Sequence, residues 1–595
     1  MCGIVGYIGA QQAQPILLDS LHRLEYRGYD SAGIAVVGDT LQVEKCAGKV
    51  SALEAKHPHF SGTWGIGHTR WATHGPPTDS NAHPFLDATG QFALIHNGII
   101  ENYQGLRQEL VTAGVPLTSQ TDSEVLVQLI ARADKGDTLA AVRSVLNRVE
   151  GSYGIVVIHR GRQELVAARN QSPLVIGLST GEQFVASDIP AMLRYTNEMV
   201  YLQDGQLARL TPSSVEISDL AGASVPLRSE TITWNAEDAE RGGYEHFMLK
   251  EIFEQPKAIL ETMLERVPDL DLGLETVRLP RRIRLVACGT AFHAAMLGKV
   301  LMEQIAGIPS EAILASEFTF SGAVGEPGLV IAISQSGETL DTLSAVREAR
   351  RRGAQVVAVC NVMGSTLTRE TEHVLMTRAG PEIGVAATKT FTSQLVALYL
   401  LAAYLGRRNR HLEAEQVSRL VAELRRLPRL VQGVLDNHQA IQMTAEWIAS
   451  AKDAFFIGRQ FNYPTALEGA LKLKEISYIH AEGYAAGELK HGPIALFGKD
   501  TPVIAIVPKD ETYAKMINAI RESGARGTPV IAIATEGDQE VAQVADIVIR
   551  IPESEPRLSP VLATVALQLL SYYVAKYRGC EIDKPRNLAK SVTVE

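Results

Sequence analysis

Four groups of residues in this 595-residue chain have the types and spacing that chemistry requires. The first is Cys2. Once Met1 is removed, a free α-amino group with a pKa of about 7.7–8.0 stands beside the thiol and can take its proton near neutral pH, directly or through water. A buried strand cysteine is the plainer alternative. The second is Ser334-Gln-Ser-Gly-Glu-Thr339, between an apolar strand pattern at Val330–Ile333 and a helical pattern. Hydroxyls at positions 334, 336 and 339, with backbone N–H groups at a helix start, make an anion cradle that needs no lysine. Simple helix capping is the competing account. No Walker-type phosphate loop occurs, which removes a nucleoside triphosphatase. The third is a helical stretch with Glu468, Lys472 and Glu475 at i, i+4 and i+7, on one face. On a solvated surface such pairs contribute only about 0.2–0.5 kcal/mol each. His491 follows in Ala485–Pro493, before a Gly-Pro turn. The fourth is the terminal run Asp583–Glu595 with Lys590, where chains usually fray and a lysine is normally just solvated.

The elements that must position these residues change along the chain. From Cys2 to about Ile217 short β-type runs dominate: Ile4–Ile8, Ala32–Val37, Gly65–Thr69, Phe92–His96, Gly154–Ile158, Leu165–Arg169 and Gln183–Ser187. Helical stretches at Tyr103–Ala113 and Asp122–Ala133 interrupt them, the second with an Asp-Ser start. The pattern predicts an α+β domain of packed antiparallel sheets. A polar linker around Asn235–Gly243 leads into a helical pattern over Tyr244–Arg266. Beyond it strand and helix alternate, as parallel sheets with crossover helices require. The Gly289 turn returns at Gly458, Val330–Ile333 at Val503–Ile506 and Val356–Val359 at Val530–Ile533, at offsets of 169, 173 and 174 residues. That regularity predicts a duplicated α/β domain. Helical segments Ala397–Leu405 and Glu413–Ser450 separate the copies. In the second copy the serine-rich turn is replaced by Val507-Pro-Lys-Asp-Glu-Thr512, so one copy is expected to bind the anion while the other supports the scaffold and the acid–base groups.

Composition bounds the function class. With 46% hydrophobic and 21% charged residues the chain is ordinary globular protein of about four units at roughly 150 residues each. A net charge of −10 without a basic stripe argues against a nucleic-acid partner. Five cysteines, none spaced as CxxC, suit a reducing compartment and disfavour a thiolate zinc site. The amino terminus has no leader-like segment, and no apolar run approaches the ~18–20 residues of a membrane span. A multidomain enzyme of the cytoplasm is the expectation, with neither membrane nor nucleic acid as partner.

The residues also carry a resemblance. MCGI, HTRWATHG (His68–Gly75), HNG (His96–Gly98) and TDSE (Thr121–Glu124) resemble the glutaminase domain of the class II, N-terminal-nucleophile amidotransferases. The resemblance implies that Cys2 attacks the glutamine γ-amide, that the Asn97 side chain and the Gly98 N–H hold the oxyanion, and that Arg70 and Asp122 take the α-carboxylate and α-amine. Thr73, His74 and His83 are implied as further pocket residues, and Trp71 as the gate of a closed ammonia channel. SQSGET resembles the signature turn of the sugar-isomerase (SIS) phosphosugar-binding domains, implying that Ser334, Gln335, Ser336 and Thr339 hold a phosphate. PEIGVAATKTF (Pro381–Phe391), the segment from Glu468 to Pro493 and PRNLAKSVTVE extend the resemblance over nearly the whole chain, to the glutamine-dependent fructose-6-phosphate aminotransferases.

That family implies conversion of L-glutamine and D-fructose 6-phosphate to L-glutamate and D-glucosamine 6-phosphate, with neither metal nor pyridoxal phosphate. Lys590 forms a Schiff base with the C2 ketone, Glu475 moves a proton between C1 and C2, and Lys472 steadies the enol oxygen. His491 assists ring opening from the neighbouring subunit of a homodimer, and Thr290, Glu382, Val385 and Ala589 line the sugar site. Where the family has serine after Cys288-Gly-Thr290, this chain has Ala291, one hydroxyl fewer for the phosphate. The implied fold class is multidomain: an α+β N-terminal-nucleophile glutaminase sandwich over 2–217, then two α/β SIS domains with parallel sheets at 273–413 and 444–585. A linker and helix fill 218–272, a helical connection fills 414–443, and 586–595 is a catalytic tail. The alternatives are the same glutaminase serving another phosphosugar, a deglycase using only the SIS pair, and a phosphosugar sensor. The Cys2 set counts against the second, and Glu475, His491 and Lys590 count against the third.

Overall fold

The structure, a computed structural model, describes residues 2–56, 59–71, 75–232, 240–264, 266–267, 270–321 and 328–592. It divides into two compact units, one of residues 1–239 with 589–595 and one of residues 240–588.

The first unit is built on an eight-stranded and a seven-stranded sheet. In the first sheet Gly3–Ile8 runs antiparallel between Glu182–Ala186 and Trp64–Arg70. In the second, Phe92–Ile100 pairs with Phe85–Leu86 and Gly151–His159. Period-two alternation decides the layering. Ala93 and Ile95 face a core shared with Ile4, Ile8 and Ile66, whereas Leu94 faces a core made with Leu106, Leu110, Val125 and Val142 from helices Tyr103–Thr112, Asp122–Ala133 and Thr138–Leu146. Helix Ala13–Leu24, absent from the sequence reading, lies against Gly3–Ile8 and buries Ile16, Leu17, Leu21 and Leu24. The sheets continue past residue 217, through Ser224–Val225 and Glu230–Thr231.

The second unit contains two five-stranded parallel sheets. In each, the first strand lies between the second and third: Ile283–Ala287 between Ser310–Leu314 and Leu329–Ser334, and Asp453–Gly458 between His480–Ala485 and Val503–Val507. Gln355–Cys360 with His373–Met376, and Val530–Thr535 with Ile547–Ile551, complete the sheets. Both faces of both sheets are buried, which explains why these strands read as unbroken apolar runs. The duplication extends to close packing. A Cβ on Gly298 of helix Gly289–Gln304 stands 2.7 Å from Leu285 Cδ2, and one on Gly469 of helix Asn462–Ser477 stands 2.9 Å from Phe456 Cδ1. The two glycines are 171 residues apart, and so are the two partners.

Three readings need correction. The pattern over Tyr244–Arg266 is two helices, Phe247–Phe253 and Gln255–Met263, the second started by Pro256 near its first turn. Glu413–Ser450 is broken at Asn437 into Ala414–Asp436 and His438–Ile448. Pro556–Tyr577 is long and apolar enough to cross a membrane, contrary to the expectation that no run approaches that length. Its apolar part, Ser559 to Ala575, is buried inside the protein as a core helix.

Candidate active site

Register places the Cys2 thiol. Gly3 pairs with Thr69 across the central strands, so Cys2 lies beside the end of Trp64–Arg70. Its Sγ accepts the Trp71 N–H at 3.2 Å, and the Trp71 indole stands edge-on to the Tyr29 ring at 5.9 Å. Asn97 Nδ2 donates to the Cys2 carbonyl at 2.8 Å. Asn97 Oδ1 and the His96 carbonyl lie 3.0 and 3.1 Å from His68 Nε2. Both are acceptors, so Nε2 carries the proton, and His68 fixes the amide with its nitrogen toward Cys2. Burial holds His68 neutral, with a pKa lowered to about 3. His68 belongs to a quoted motif, yet nothing in the sequence assigned it this task. Gly98 has φ +123, and a Cβ there collides with the Ser152 carbonyl, so glycine is required at this position.

Burial pushes the Cys2 thiol up, against the pull of the Trp71 N–H and the Arg70 charge. Arg70 is buried, with Nη2 donating to the Gly75 carbonyl at 3.2 Å. Asp122 opens helix Asp122–Ala133 and accepts the Ile100 N–H at 2.9 Å, which joins it to the strand carrying Asn97 and Gly98. His83 packs tilted against His68 at 4.1 Å and meets the edge of Phe85 at 4.7 Å, and burial keeps it neutral. Thr73 and His74 lie outside the described residues.

In the second unit Ser334–Thr339 leaves the carboxyl end of Leu329–Ser334 at the point where strand order reverses, the usual ligand edge of an open α/β sheet. Ser334 Oγ accepts the Gly337 N–H at 3.0 Å and Ser336 Oγ accepts the Glu338 N–H at 3.2 Å. Neither bond uses the hydroxyl proton, which leaves both as donors to an anion. Thr339 is the N-cap of helix Leu340–Arg351, without a side-chain capping bond. Glu338 grips the Thr366 N–H and hydroxyl at 2.7 and 2.8 Å, and the Gln335 carbonyl accepts the Asn361 N–H, which hold the turn in shape.

The helix face with Glu468, Lys472 and Glu475 is not a solvated surface. Glu468 and Lys472 side chains are each 1% exposed, and Glu475 is 19% exposed. Lys472 Nζ lies 3.4 Å from Glu468 Oε1 and 2.7 Å from Glu475 Oε2. His293 Nδ1 stands 2.7 Å from Glu468 Oε2. Thr290 Oγ1 donates to Glu468 at 3.0 Å and accepts from Lys472 at 3.2 Å. The expected sugar-site Thr290 therefore joins the first α/β copy to the charged helix of the second. Burial alone pushes the Lys472 ammonium down, but its two carboxylates more than reverse this and hold it protonated. Burial likewise raises the Glu468 carboxyl, while Lys472 and His293 bring it below its usual value.

Removing one partner of a buried pair costs about 3–5 kcal/mol. Glu468→Gln is therefore expected to destabilise the protein by about 3 kcal/mol, toward the low end because Glu475 still faces Lys472. Because Glu468 is depressed in the folded protein, its contribution is complete above about pH 4.3 and declines as pH falls through the lowered value. Thermal denaturation across pH 3–7 checks both: the variant melts lower at neutral pH and loses part of the acid-side slope.

Other candidates have mixed placements. Glu382 is buried and accepts from the Thr388 and Thr390 N–H groups at 2.9 and 3.1 Å, which stabilises the start of helix Lys389–Arg408. Val385 N–H donates to the Asp583 carbonyl at 3.0 Å. His491 is exposed at the end of a short helical turn, Glu488–His491. Ala589 and Lys590 fall in the first unit, whereas the phosphate turn and Glu475 are in the second. His293 gives no sequence signal for this network, because its pairing with Glu468 joins residues 175 apart on two helices. Among the described residues, no three His, Cys, Asp or Glu side chains are placed to hold a metal ion.

Comparison with known proteins decides what these centres belong to. A SIS domain model matches residues 278–404 and 447–576, and a glutamine amidotransferase domain model matches 68–194. The chain is 51% identical to glutamine–fructose-6-phosphate aminotransferase (isomerizing) of Thermus thermophilus over 100% of both chains. It belongs to the glutamine–fructose-6-phosphate aminotransferase (isomerizing) family. The aminotransferase of Methanosarcina acetivorans is 49% identical, again over 100% of both chains. The C-terminal domain of the Francisella tularensis glucosamine-fructose-6-phosphate aminotransferase aligns at 39% identity and TM-score 0.55, covering 58% of this chain and 99% of that domain. The glutamine amidotransferase match falls within residues 1–239 and both SIS matches within residues 240–588.

Proposed function

We propose that the chain forms D-glucosamine 6-phosphate and L-glutamate from D-fructose 6-phosphate and L-glutamine, with the steps divided between the two centres. The cluster Glu468–Lys472–Glu475 beside Thr290 carries this reading, because a largely desolvated ion network at the ligand edge of an α/β sheet, open only at Glu475, serves chemistry better than stability.

At the first centre the Cys2 thiolate attacks the glutamine γ-carbonyl, with its proton taken by the α-amine that removal of Met1 exposes. Asn97 Nδ2 and the Gly98 N–H stabilise the tetrahedral oxyanion. Ammonia leaves, and water hydrolyses the remaining glutamyl thioester to glutamate. Arg70 and Asp122 bind the charged ends of glutamine.

At the second centre the Ser334–Thr339 turn holds the phosphate by hydroxyl and backbone donors. The family resemblance gives the Schiff base at C2 to Lys590, while Lys472 is held protonated by its two carboxylates. Ammonia displaces Lys590 from C2. Glu475 then takes a proton from C1 and returns one to C2, and the Lys472 charge stabilises the oxygen at C1 while it is enolic. Ammonia is proposed to travel sheltered from water behind Trp71. We also assign the enzyme to the cytoplasm, where its five unpaired cysteines stay reduced, and to a homodimer in which the exposed His491 serves the neighbouring subunit's sugar site for ring opening.

Glutamine labelled with 15N in the amide tests the reading. The label is expected at C2 of glucosamine 6-phosphate, and label found only in free ammonia contradicts it. Ala291 occupies the helix start beside Thr290. Ala291→Ser is expected to tighten fructose 6-phosphate by no more than one hydrogen bond, about 0.5–1.5 kcal/mol. A titration with the sugar phosphate reads this directly.

A further inference from the structure

One cleft of the second unit lies at the sheet edge opposite the Ser334–Thr339 turn. Strands Ile283–Ala287, Leu329–Ser334 and Gln355–Cys360 carry Thr290 and the phosphate turn at their carboxyl ends. At their amino ends opens a cavity of about 400 Å³ lined by Arg278, Arg281, Arg282 and Arg284, with Gly328 and Gln355. Strands of five or six residues separate the two edges by about 17–20 Å, so one small molecule cannot occupy both sites.

The charge at this edge is concentrated. Arg278-Leu-Pro-Arg281-Arg282-Ile-Arg284 places four arginines in seven residues with no acidic residue among them, in a chain whose net charge is −10. Arg284 is 7% exposed, its Nε is buried without a hydrogen-bond partner, and its nearest carboxylate, Glu311 Oε2, stays 3.9 Å away and is itself over half exposed. Burial, with the Arg282 and Arg352 charges nearby, pushes the Arg284 guanidinium down against the pull of Glu311. Arg352 is turned away, bonded to Glu348 at 2.5 Å and to the Thr319 carbonyl at 3.2 Å. Arg281 and Arg282 are exposed and pair with no carboxylate among the described residues. A buried guanidinium lining one cavity with three other arginines, with one distant counter-charge, is unfavourable until an anion supplies acceptors.

We propose that this cleft is a second anion site, for a small molecule bearing two or more phosphate-type charges, separate from the sugar-phosphate cradle. Several planar guanidiniums in one wall suit phosphoryl oxygens in bidentate fashion, whereas a single monophosphate meets only part of the set. The cavity also has the size of ordinary small-molecule sites, about 300–1,000 Å³.

Calorimetric titration of tripolyphosphate into the full chain tests this, with glucosamine 6-phosphate saturating so that the sugar cradle is filled. One equivalent is expected to bind, more tightly than inorganic phosphate, with an affinity that falls steeply as salt rises. Arg281→Gln/Arg282→Gln, at two exposed positions, is expected to weaken binding at least about tenfold while the melting temperature and glutaminase rate stay unchanged, since each lost charge-assisted bond removes a large share of the affinity. Arg284→Gln is expected to weaken it as well. Ser334→Ala is expected to leave it intact. No binding with the sugar site filled, displacement by excess sugar phosphate, or equal binding by the double variant overturns the proposal.

Discussion

Cys2→Ala is expected to lower glutamine hydrolysis by about four to six orders of magnitude, the loss seen when a covalent nucleophile is removed from an otherwise intact site. Cys2 Sγ is held by the Trp71 N–H, and Asn97 is oriented on it through His68, so the variant keeps its oxyanion donors but has no atom to form the thioester. The fold should survive, because Cys2 is only half-buried at the end of its strand and alanine fits the same backbone. The sugar chemistry is assigned to other residues, the Ser334–Thr339 turn, Glu475 and Lys590, so isomerisation of fructose 6-phosphate should continue without glutamine. Stopped assays of glutamate release and of sugar-phosphate isomerisation on one preparation check both halves. Full glutamine turnover by the variant removes Cys2 from the mechanism.

Glu475→Gln is expected to have the opposite profile. Fructose 6-phosphate turnover falls about 10²–10⁴-fold, the range for loss of a general acid–base, while glutamine hydrolysis is unchanged. Glu468 and Glu475 both face Lys472, yet they are not equivalent. Glu468 is sealed at 1% exposure, with both oxygens occupied by Thr290, His293 and Lys472. Glu475 is 19% exposed and bound only to Lys472 among the described residues, so it alone can meet a substrate proton. The two substitutions should therefore separate: Glu468→Gln moves the melting temperature, and Glu475→Gln moves kcat with little change in KM. Steady-state kinetics beside thermal melts read the split. An equal loss of stability in both variants contradicts the assignment of roles.

Local signals were enough for much of the fold. Asp122–Ala133 is legible with its bounds because an Asp-Ser start marks where the helix begins. The parallel strands were visible because burial on both faces leaves only apolar residues. Leu41–Ala47, an edge strand with five partly exposed residues in a row, gave no such run and was missed. Ala13–Leu24 was missed because Pro15 and scattered polar residues hide a face that becomes apolar only against the central sheet. At the sites, motif residues were legible and their environments were not. A Glu–Lys pair at i, i+4 reads the same whether solvated or buried. Only the approach of helix Gly289–Gln304, with Thr290 and His293, turns it into a desolvated network. Glu382 is similar: a carboxylate expected at the sugar is engaged by the N–H groups of Thr388 and Thr390.

The most direct test of the account is borohydride reduction of the full chain with radiolabelled fructose 6-phosphate, followed by peptide mapping. The account predicts one stable label per chain on Lys590, absent in Lys590→Arg, with glutaminase activity retained. Label on Lys472, or no label in a preparation whose glutaminase is active, contradicts it.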